Sequence, residues 1–232
     1  IRQFESRLEA EIKQIEAGHK ATLSIDEFQA AQAEAFSALR ELGSPWLVTD
    51  FITLGSPLTH AEFLVSDDEA ALTEAQLERR FPTCPPQMEL DPKAGSLHFT
   101  YKPGRAAQKR IPHHASLFAF TRWTNLYSPR KLFLWGDIVS GPVGKHFGVP
   151  IESGEPAKTA RFSGIRDVAV LPPRNKDGTV LSGFSVPFMT HISYWNMNVC
   201  KPKDGAPHHI VTLRKAVNLL RKSNPWVTDQ DN

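Results

Sequence analysis

This chain contains few of the residues that mark a disulfide scaffold, a membrane protein or a nucleic-acid binder. Its two cysteines, Cys84 and Cys200, are too few for a disulfide framework, and we expect two free thiols. No apolar run approaches the roughly 18 residues of a membrane span. The net charge of +2 comes without a clustered basic stripe, which argues against a nucleic-acid partner. With no signal peptide visible after Ile1, we expect a globular, cytoplasmic protein.

The sequence also lacks motifs for cofactors and metals. Residues 141–145 contain two glycines and a lysine, but they lack the spacing of a phosphate-binding loop and the Ser or Thr that follows it. The pairs His113-His114 and His208-His209 have no cysteine or acidic partner at a metal-ligand spacing. We therefore predict no cofactor and no metal ion.

What is present is an alternation of helical and strand patterns. Apolar residues recur at helical spacing in 1–17, 25–42 and 59–80, and again in a last helix that begins near His208. Short strand-like runs cover 46–54, 122–127 and 164–171, and 174–190 is predicted to be a loop. Prolines interrupt residues 81–120, which we interpret as a cap-like excursion from the core. The pattern predicts a single α/β domain over 1–232, with parallel strands joined by crossover helices.

Polar residues follow two of these strands. Asp137 comes after the second strand, and His191 comes after the third. An acid followed by a histidine is the order of the last two members of a hydrolase triad.

Three segments together resemble the α/β-hydrolase fold of lipase-like and esterase-like bacterial proteins. Phe51–Leu58, which includes Gly-Ser-Pro, is similar to the strand after the nucleophile helix. Trp123–Tyr127 with Gly136-Asp137 and Gly141-Pro142 resembles the next strand and its acid loop, and Thr190–Trp195 resembles the histidine loop. The resemblance implies a serine hydrolase acting on an ester or lipid-like substrate, with Asp137 as acid and His191 as base.

Two features depart from that family, and the small number of strands is a separate sign that the chain is incomplete. The Gly-x-Ser-x-Gly nucleophile elbow is absent, and we expect it upstream of Ile1, so that the chain represents the C-terminal half of an enzyme and is inactive alone. Three strands are also few for a parallel sheet, and an open edge predicts self-association or pairing with a chain that supplies the N-terminal half. Asp137 lies ten residues past Tyr127, later than the simplest members place their acid.

Other assignments of these residues remain open. Asp137 is alternatively a turn residue that bonds its own backbone, and Asp167, Glu152 and Glu155 are competing acids. His191 is alternatively a surface or core histidine with no catalytic role.

The nucleophile also has alternatives. Ser56 follows a strand, but Pro57 has no N–H to offer an oxyanion, so a turn or site-wall role is favoured. Ser185 lies in a near miss to the elbow pattern that precedes no helix. A different class remains open: a non-catalytic protein that uses the hydrolase fold as a binding scaffold.

Overall fold

The computed structural model describes most of the chain between residues 24 and 217. The ranges are 24–87, 89–91, 96–98, 100–101, 111–129, 137–151, 160–171, 190–194 and 208–217, together with Ala10 and Thr179. The helices are α1 (Ile25–Glu41), α2 (Ala61–Leu64), α3 (Glu69–Leu77), α4 (Gly144–Phe147), α5 (Thr190–Ser193) and α6 (His208–Val217). The strands are β1 (Asp50–Leu54), β2 (Glu89–Asp91), β3 (Ser96–His98), β4 (Thr100–Tyr101), β5 (Ile111–Pro112), β6 (Arg122–Tyr127), β7 (Val149–Ile151), β8 (Ala160–Phe162) and β9 (Ile165–Ala169).

A three-stranded parallel sheet of order β1-β6-β9 lies at the centre. Thr53 is opposite Asn125, and Asn125 is opposite Asp167. The pairs β2-β3, β4-β5 and β7-β8 are short antiparallel hairpins. The predicted α/β class with a parallel sheet is confirmed at this level.

Helix α1 begins as the sequence predicts. The Ser24 side chain accepts a hydrogen bond from the Glu27 backbone, and the Glu27 carboxylate accepts from the Ser24 backbone, each at 3.1 Å. This capping box satisfies N–H groups that a helix start leaves unpaired. Farther along, Gln29 and Gln32 donate to backbone carbonyls at Trp123 and Thr121, which fasten α1 to β6.

The two faces of the sheet carry separate apolar clusters. The larger cluster comprises Phe28, Ala61, Leu72, Cys84, Trp123, Val143, Phe147, Phe162 and Ile165. The second comprises Leu126, Val170 and Tyr194, with Ile52, Leu54, Val168 and Leu213 packed against it. Because side chains alternate along a strand, Trp123 and Leu126 lie on opposite faces of β6. The sheet therefore has apolar packing on both sides, as a parallel sheet requires.

Three predicted elements were too long, of which the strand over 164–171 is shortened only at its ends, to β9. The strand expected over 46–54 covers only β1, because the Trp46 indole donates to Thr121 Oγ1 at 3.1 Å and Thr121 Oγ1 donates to the Val48 carbonyl at 2.9 Å. These bonds hold residues 46–48 as a loop. The helix expected over 59–80 is a 3₁₀ turn (Pro57–His60) followed by α2 and α3. It is interrupted because Asp68 caps α3 by accepting from Ala71 N at 2.7 Å.

The start of the 81–120 excursion belongs to the core. Cys84 is fully buried and free, its N–H donates to the Phe147 carbonyl, and its own carbonyl accepts from Gly164 N, both at 2.8 Å. Any cap formed by this stretch therefore begins after Cys84. The predicted helix over 1–17 lies outside the described residues except for Ala10, and so does the predicted loop over 174–190 except for Thr179 and Thr190.

Candidate active site

Asp137 and His191, 54 positions apart in sequence, form a hydrogen bond. His191 Nδ1 lies 3.0 Å from Asp137 Oδ2. Asp137 follows β6 and His191 lies in α5, after the neighbouring strand β9. Because parallel strands end at the same edge of a sheet, residues that follow β6 and β9 are brought together there. Both predicted site residues thus meet at the carboxyl edge of the sheet.

The Asp137 carboxylate uses its two oxygens differently. Oδ1 accepts from the backbone N–H groups of Val139 at 2.8 Å and Ser140 at 3.2 Å. Oδ2 accepts from Ser140 Oγ at 2.6 Å and faces His191. One oxygen of Asp137 thus bonds its own backbone, as a turn residue would, while the other is placed to orient a histidine. The residue is 1 % exposed, and these donors offset the cost of burying its charge.

His191 is oriented by this carboxylate and is partly open to solvent. Its side chain is 36 % exposed, whereas that of Asp137 is fully covered. A carboxylate oxygen only accepts, so Nδ1 carries the proton and Nε2 of the neutral ring is left as an acceptor. The histidine lies in a short helix rather than the predicted loop. This arrangement of a buried acid and a half-exposed imidazole is the geometry that a general base needs.

Gly55 lets the end of β1 pass beneath the histidine. Its φ is +65°, a left-handed conformation, and a Cβ there would lie 2.8 Å from Tyr194 Cε2 and 3.4 Å from His191 Cε1. Only glycine fits both the backbone angle and the space. The imidazole therefore lies against the Gly55–Ser56 end of β1.

Ser56 lies at this edge as a turn residue. Its hydroxyl accepts from Leu58 N at 3.3 Å and caps the 3₁₀ turn. The described hydrogen bonds of Ser56 include none to His191. This supports the site-wall role over the nucleophile role.

Asp167, the competing acid, has both oxygens occupied elsewhere. Oδ1 accepts from Asn125 Nδ2 at 2.7 Å and Val143 N at 2.8 Å, and Oδ2 accepts from Gly144 N at 2.9 Å. Asp167 therefore holds the segment that follows the acid loop. The other competitors, Glu152 and Glu155, lie outside the described residues, as do Ser185 and Cys200.

A partly buried row of polar side chains across the three strands supports the acid loop, and it was not predicted from the sequence. Trp123 Nε1 donates to Thr53 Oγ1 at 3.2 Å, and Thr53 Oγ1 donates to Asn125 Oδ1 at 2.9 Å. Asn125 Nδ2 donates to the Gly141 carbonyl at 2.9 Å as well as to Asp167. The available signal was a polar residue inside each of three apolar strands, but the register that aligns them is not visible in one sequence.

The 3₁₀ turn holds the acid loop from the other side. His60 Nε2 donates to the Ile138 carbonyl at 3.0 Å. Thr59 is buried, and its Oγ1 lies only 2.6 Å from where a Cβ on Gly141 would sit. The loop from Asp137 to Gly141 is thus fixed by contacts on two sides.

The other histidines are suited to different roles. Burial, with His114 and Arg79 nearby, lowers the pKa of His113 to about 4, and its ring stacks on His114 at 4.6 Å. His146 lies 3.2 Å from Glu62 in a second histidine–carboxylate pair, but it is 5 % exposed, and burial lowers its pKa. Neither ring combines a carboxylate partner with access to solvent.

The His208-His209 pair has backbone partners. His208 Nδ1 accepts from Leu171 N at 3.1 Å, and His209 Nε2 donates to the Tyr194 carbonyl at 3.0 Å. These residues begin α6, as predicted. Across the part of the chain that the structure describes, no cluster of three His, Cys, Asp or Glu side chains is arranged to hold a metal ion.

No protein-family model, curated protein or solved structure matches this chain. Among the described helices, none has the length and apolar character needed to cross a membrane.

Proposed function

We propose that this chain carries the acid and the base of a serine hydrolase of the α/β-hydrolase type, which cleaves a carboxylic ester or a related acyl bond. The observation that carries the proposal is the 3.0 Å contact between His191 Nδ1 and Asp137 Oδ2 at the carboxyl edge of a parallel sheet. Active sites of open α/β sheets lie at that edge. The order of the two residues along the chain also agrees with the family pattern.

In this proposal His191 acts first as base and then as acid. Its Nε2 takes the proton from a serine hydroxyl as that oxygen attacks the acyl carbon, and it later returns the proton to the leaving alcohol. Asp137 holds the ring in the Nδ1–H tautomer and stabilises the imidazolium. The backbone and Ser140 bonds keep its second oxygen in place for this role.

The serine that His191 activates belongs, in this proposal, to an elbow upstream of Ile1. Among the described residues β1 pairs with β6 alone, and Phe51 on β1 is 40 % exposed. A further parallel strand on the free side of β1 would end at the same edge as β6 and β9. Its terminal turn would then face the imidazole that lies against Gly55.

An apolar substrate group fits the surroundings of the base. Ile192 follows His191 in α5, and its apolar side chain is 59 % exposed. Exposed apolar side chains at a site gain free energy when a ligand covers them. An acyl ester or a lipid-like ester is the substrate class that we propose.

The experiment is labelling of the full-length protein with a fluorophosphonate probe, followed by mass mapping of the modified peptide. We expect one labelled serine upstream of Ile1. Labelling should be lost in His191→Ala and retained in His114→Ala, which changes an exposed histidine away from the acid. Asp137→Asn should lower kcat by about 10⁴-fold, by analogy with the same change in a well-studied triad. Labelling at Ser56 or Ser185 would show that the position proposed for the nucleophile is wrong.

A non-catalytic scaffold is the second candidate. It is favoured by one observation: no hydroxyl among the described residues is hydrogen-bonded to His191. Absence of labelling in folded full-length protein would support the scaffold and refute the hydrolase.

A further inference from the structure

Tyr194 contacts the ends of two strands of the central sheet, β1 and β6. Its ring packs against Gly55, after β1, where a Cβ on the glycine would lie 2.8 Å from Cε2 of the tyrosine. Its hydroxyl accepts from Ser128 N, just after β6, at 2.7 Å. The residue itself follows β9 and lies three positions after His191. Being 2 % exposed, it is part of the core beneath the candidate site and does not face a substrate.

The Tyr194 hydroxyl also leads to the acid. It lies 3.4 Å from Ser140 Oγ, and Ser140 Oγ donates to Asp137 Oδ2 at 2.6 Å. Because the serine hydrogen is committed to the carboxylate, the phenol must be the donor in the longer contact. Burial raises the pKa of Tyr194 well above its ordinary value, so the phenol keeps that hydrogen at neutral pH.

Tyr194 also contacts helix α6 and the imidazole of His191. Its carbonyl accepts from His209 Nε2 in α6 at 3.0 Å. Its ring meets the imidazole of His191 edge to face, with centroids 6.3 Å apart. A shift of the Tyr194 ring would therefore change the contacts of both Asp137 and His191.

We infer that Tyr194, acting through Ser140, is a positioning residue that sets the contact between Asp137 and His191. The consequence for catalysis rests on the proposed function, whereas the consequence for the geometry of the pair does not. A donor that shares Oδ2 with His191 fixes the direction in which that oxygen presents its remaining lone pair. Loss of the Ser140 hydrogen bond lets Oδ2 move while the backbone bonds still hold Oδ1. The carboxylate then holds the Nδ1–H tautomer of His191 less firmly.

The test measures the tautomer of His191 in the full-length protein from the ¹⁵N shifts of its ring nitrogens. The signal is assigned by its disappearance in His191→Gln. We expect the Nδ1–H form in the wild type and a mixture of tautomers in Tyr194→Phe and Ser140→Ala. Ser140→Thr keeps the hydroxyl and should restore the wild-type spectrum.

Tyr127→Phe is the matched control. Tyr127 is half-buried at the end of β6, and its hydroxyl has no hydrogen bond to a described residue. It should leave the tautomer unchanged. In an ester-hydrolysis assay Tyr194→Phe should lower kcat by ~10- to 100-fold with KM unchanged, because a small misplacement of the base costs that much.

The outcomes separate this inference from the proposed function. A wild-type tautomer in folded Tyr194→Phe, or in folded Ser140→Ala, overturns the positioning role, and so does an unchanged kcat of Tyr194→Phe in an active enzyme. A tautomer shift in a protein that hydrolyses no ester supports the positioning role and refutes the hydrolase. Thermal unfolding of each variant shows whether the measured state is folded, and Ser140→Ala remains a test if Tyr194→Phe does not fold.

Discussion

Gly55 offers the sharpest test of the packing beneath the candidate site. Alanine there has two costs: a left-handed backbone at φ +65°, and a Cβ that would lie 2.8 and 3.1 Å from ring carbons of Tyr194. The left-handed backbone costs about 1–2 kcal/mol for a residue with a Cβ. Forcing a methyl group into a packed core costs about 1–3 kcal/mol more. We expect Gly55→Ala to lower the free energy of unfolding by about 2–5 kcal/mol.

Gly43 is a matched control within the same chain. It has a similar backbone angle, φ +82°, but nothing lies within 4 Å of the position its Cβ would take. Gly43→Ala should therefore cost only the backbone part, about 1–2 kcal/mol. The difference between the two variants isolates the steric contact with Tyr194.

Urea denaturation of both variants measures that difference. With an m-value of about 3 kcal/mol per molar urea, a difference of about 1–3 kcal/mol lowers the midpoint of Gly55→Ala by ~0.3–1 M relative to Gly43→Ala. Equal losses in the two variants would refute the close approach of Tyr194 to Gly55. A change in m would instead indicate an altered unfolded state.

Three further predictions follow from the described contacts. Asn125→Leu should cost about 2–4 kcal/mol in the same urea assay, because it leaves the Gly141 carbonyl without its side-chain donor and removes one of the three donors to the Asp167 carboxylate. Thr53→Val should cost only about 1 kcal/mol, and equal effects would contradict the polar row. Ser24→Ala removes the capping box and should cost about 1 kcal/mol, seen as a fall of ~2–4 °C in Tm, and an unchanged Tm would count against the cap. His113 has a pKa lowered from 6.5 to about 4, so the unfolded chain binds the extra proton and stability should fall as pH is lowered from about 6.5 to about 4. His113→Gln should flatten that pH dependence of Tm, and an unchanged slope would exclude His113 as its source.

The sequence predicted the elements whose signals are local. The capping box located the start of α1, and a short strand-like run at 122–127 located β6. The acid and the histidine were predicted from their positions after strands, because chain order and strand ends are both visible in a sequence. That they are in contact was only an expectation until the parallel pairing of β6 with β9 placed them at one edge.

The features that the sequence did not predict depend on contacts between distant residues. Trp46 has a strong strand preference, but its indole bonds to Thr121, so tertiary hydrogen bonding overrides propensity there. Asp167 was weighed only as a rival acid, although its role is to anchor Val143 and Gly144. Tyr194 was predicted only as part of the histidine segment Thr190–Trp195, because its hydrogen bonds to Ser128 and Ser140 join segments separated by more than 50 residues.

The late position of Asp137 after β6 weakens the acid assignment less than the sequence alone indicates. Lengthening a flexible loop costs little, about 0.6 kcal/mol for each doubling, so the distance along the chain is not the deciding quantity. What matters is whether the loop is held where it returns to the sheet. Asn125 bonds the Gly141 carbonyl, and His60 bonds the Ile138 carbonyl from the opposite side. Since these bonds fix the residues that follow Asp137, they hold the carboxylate beside His191 whatever number of residues separates it from Tyr127.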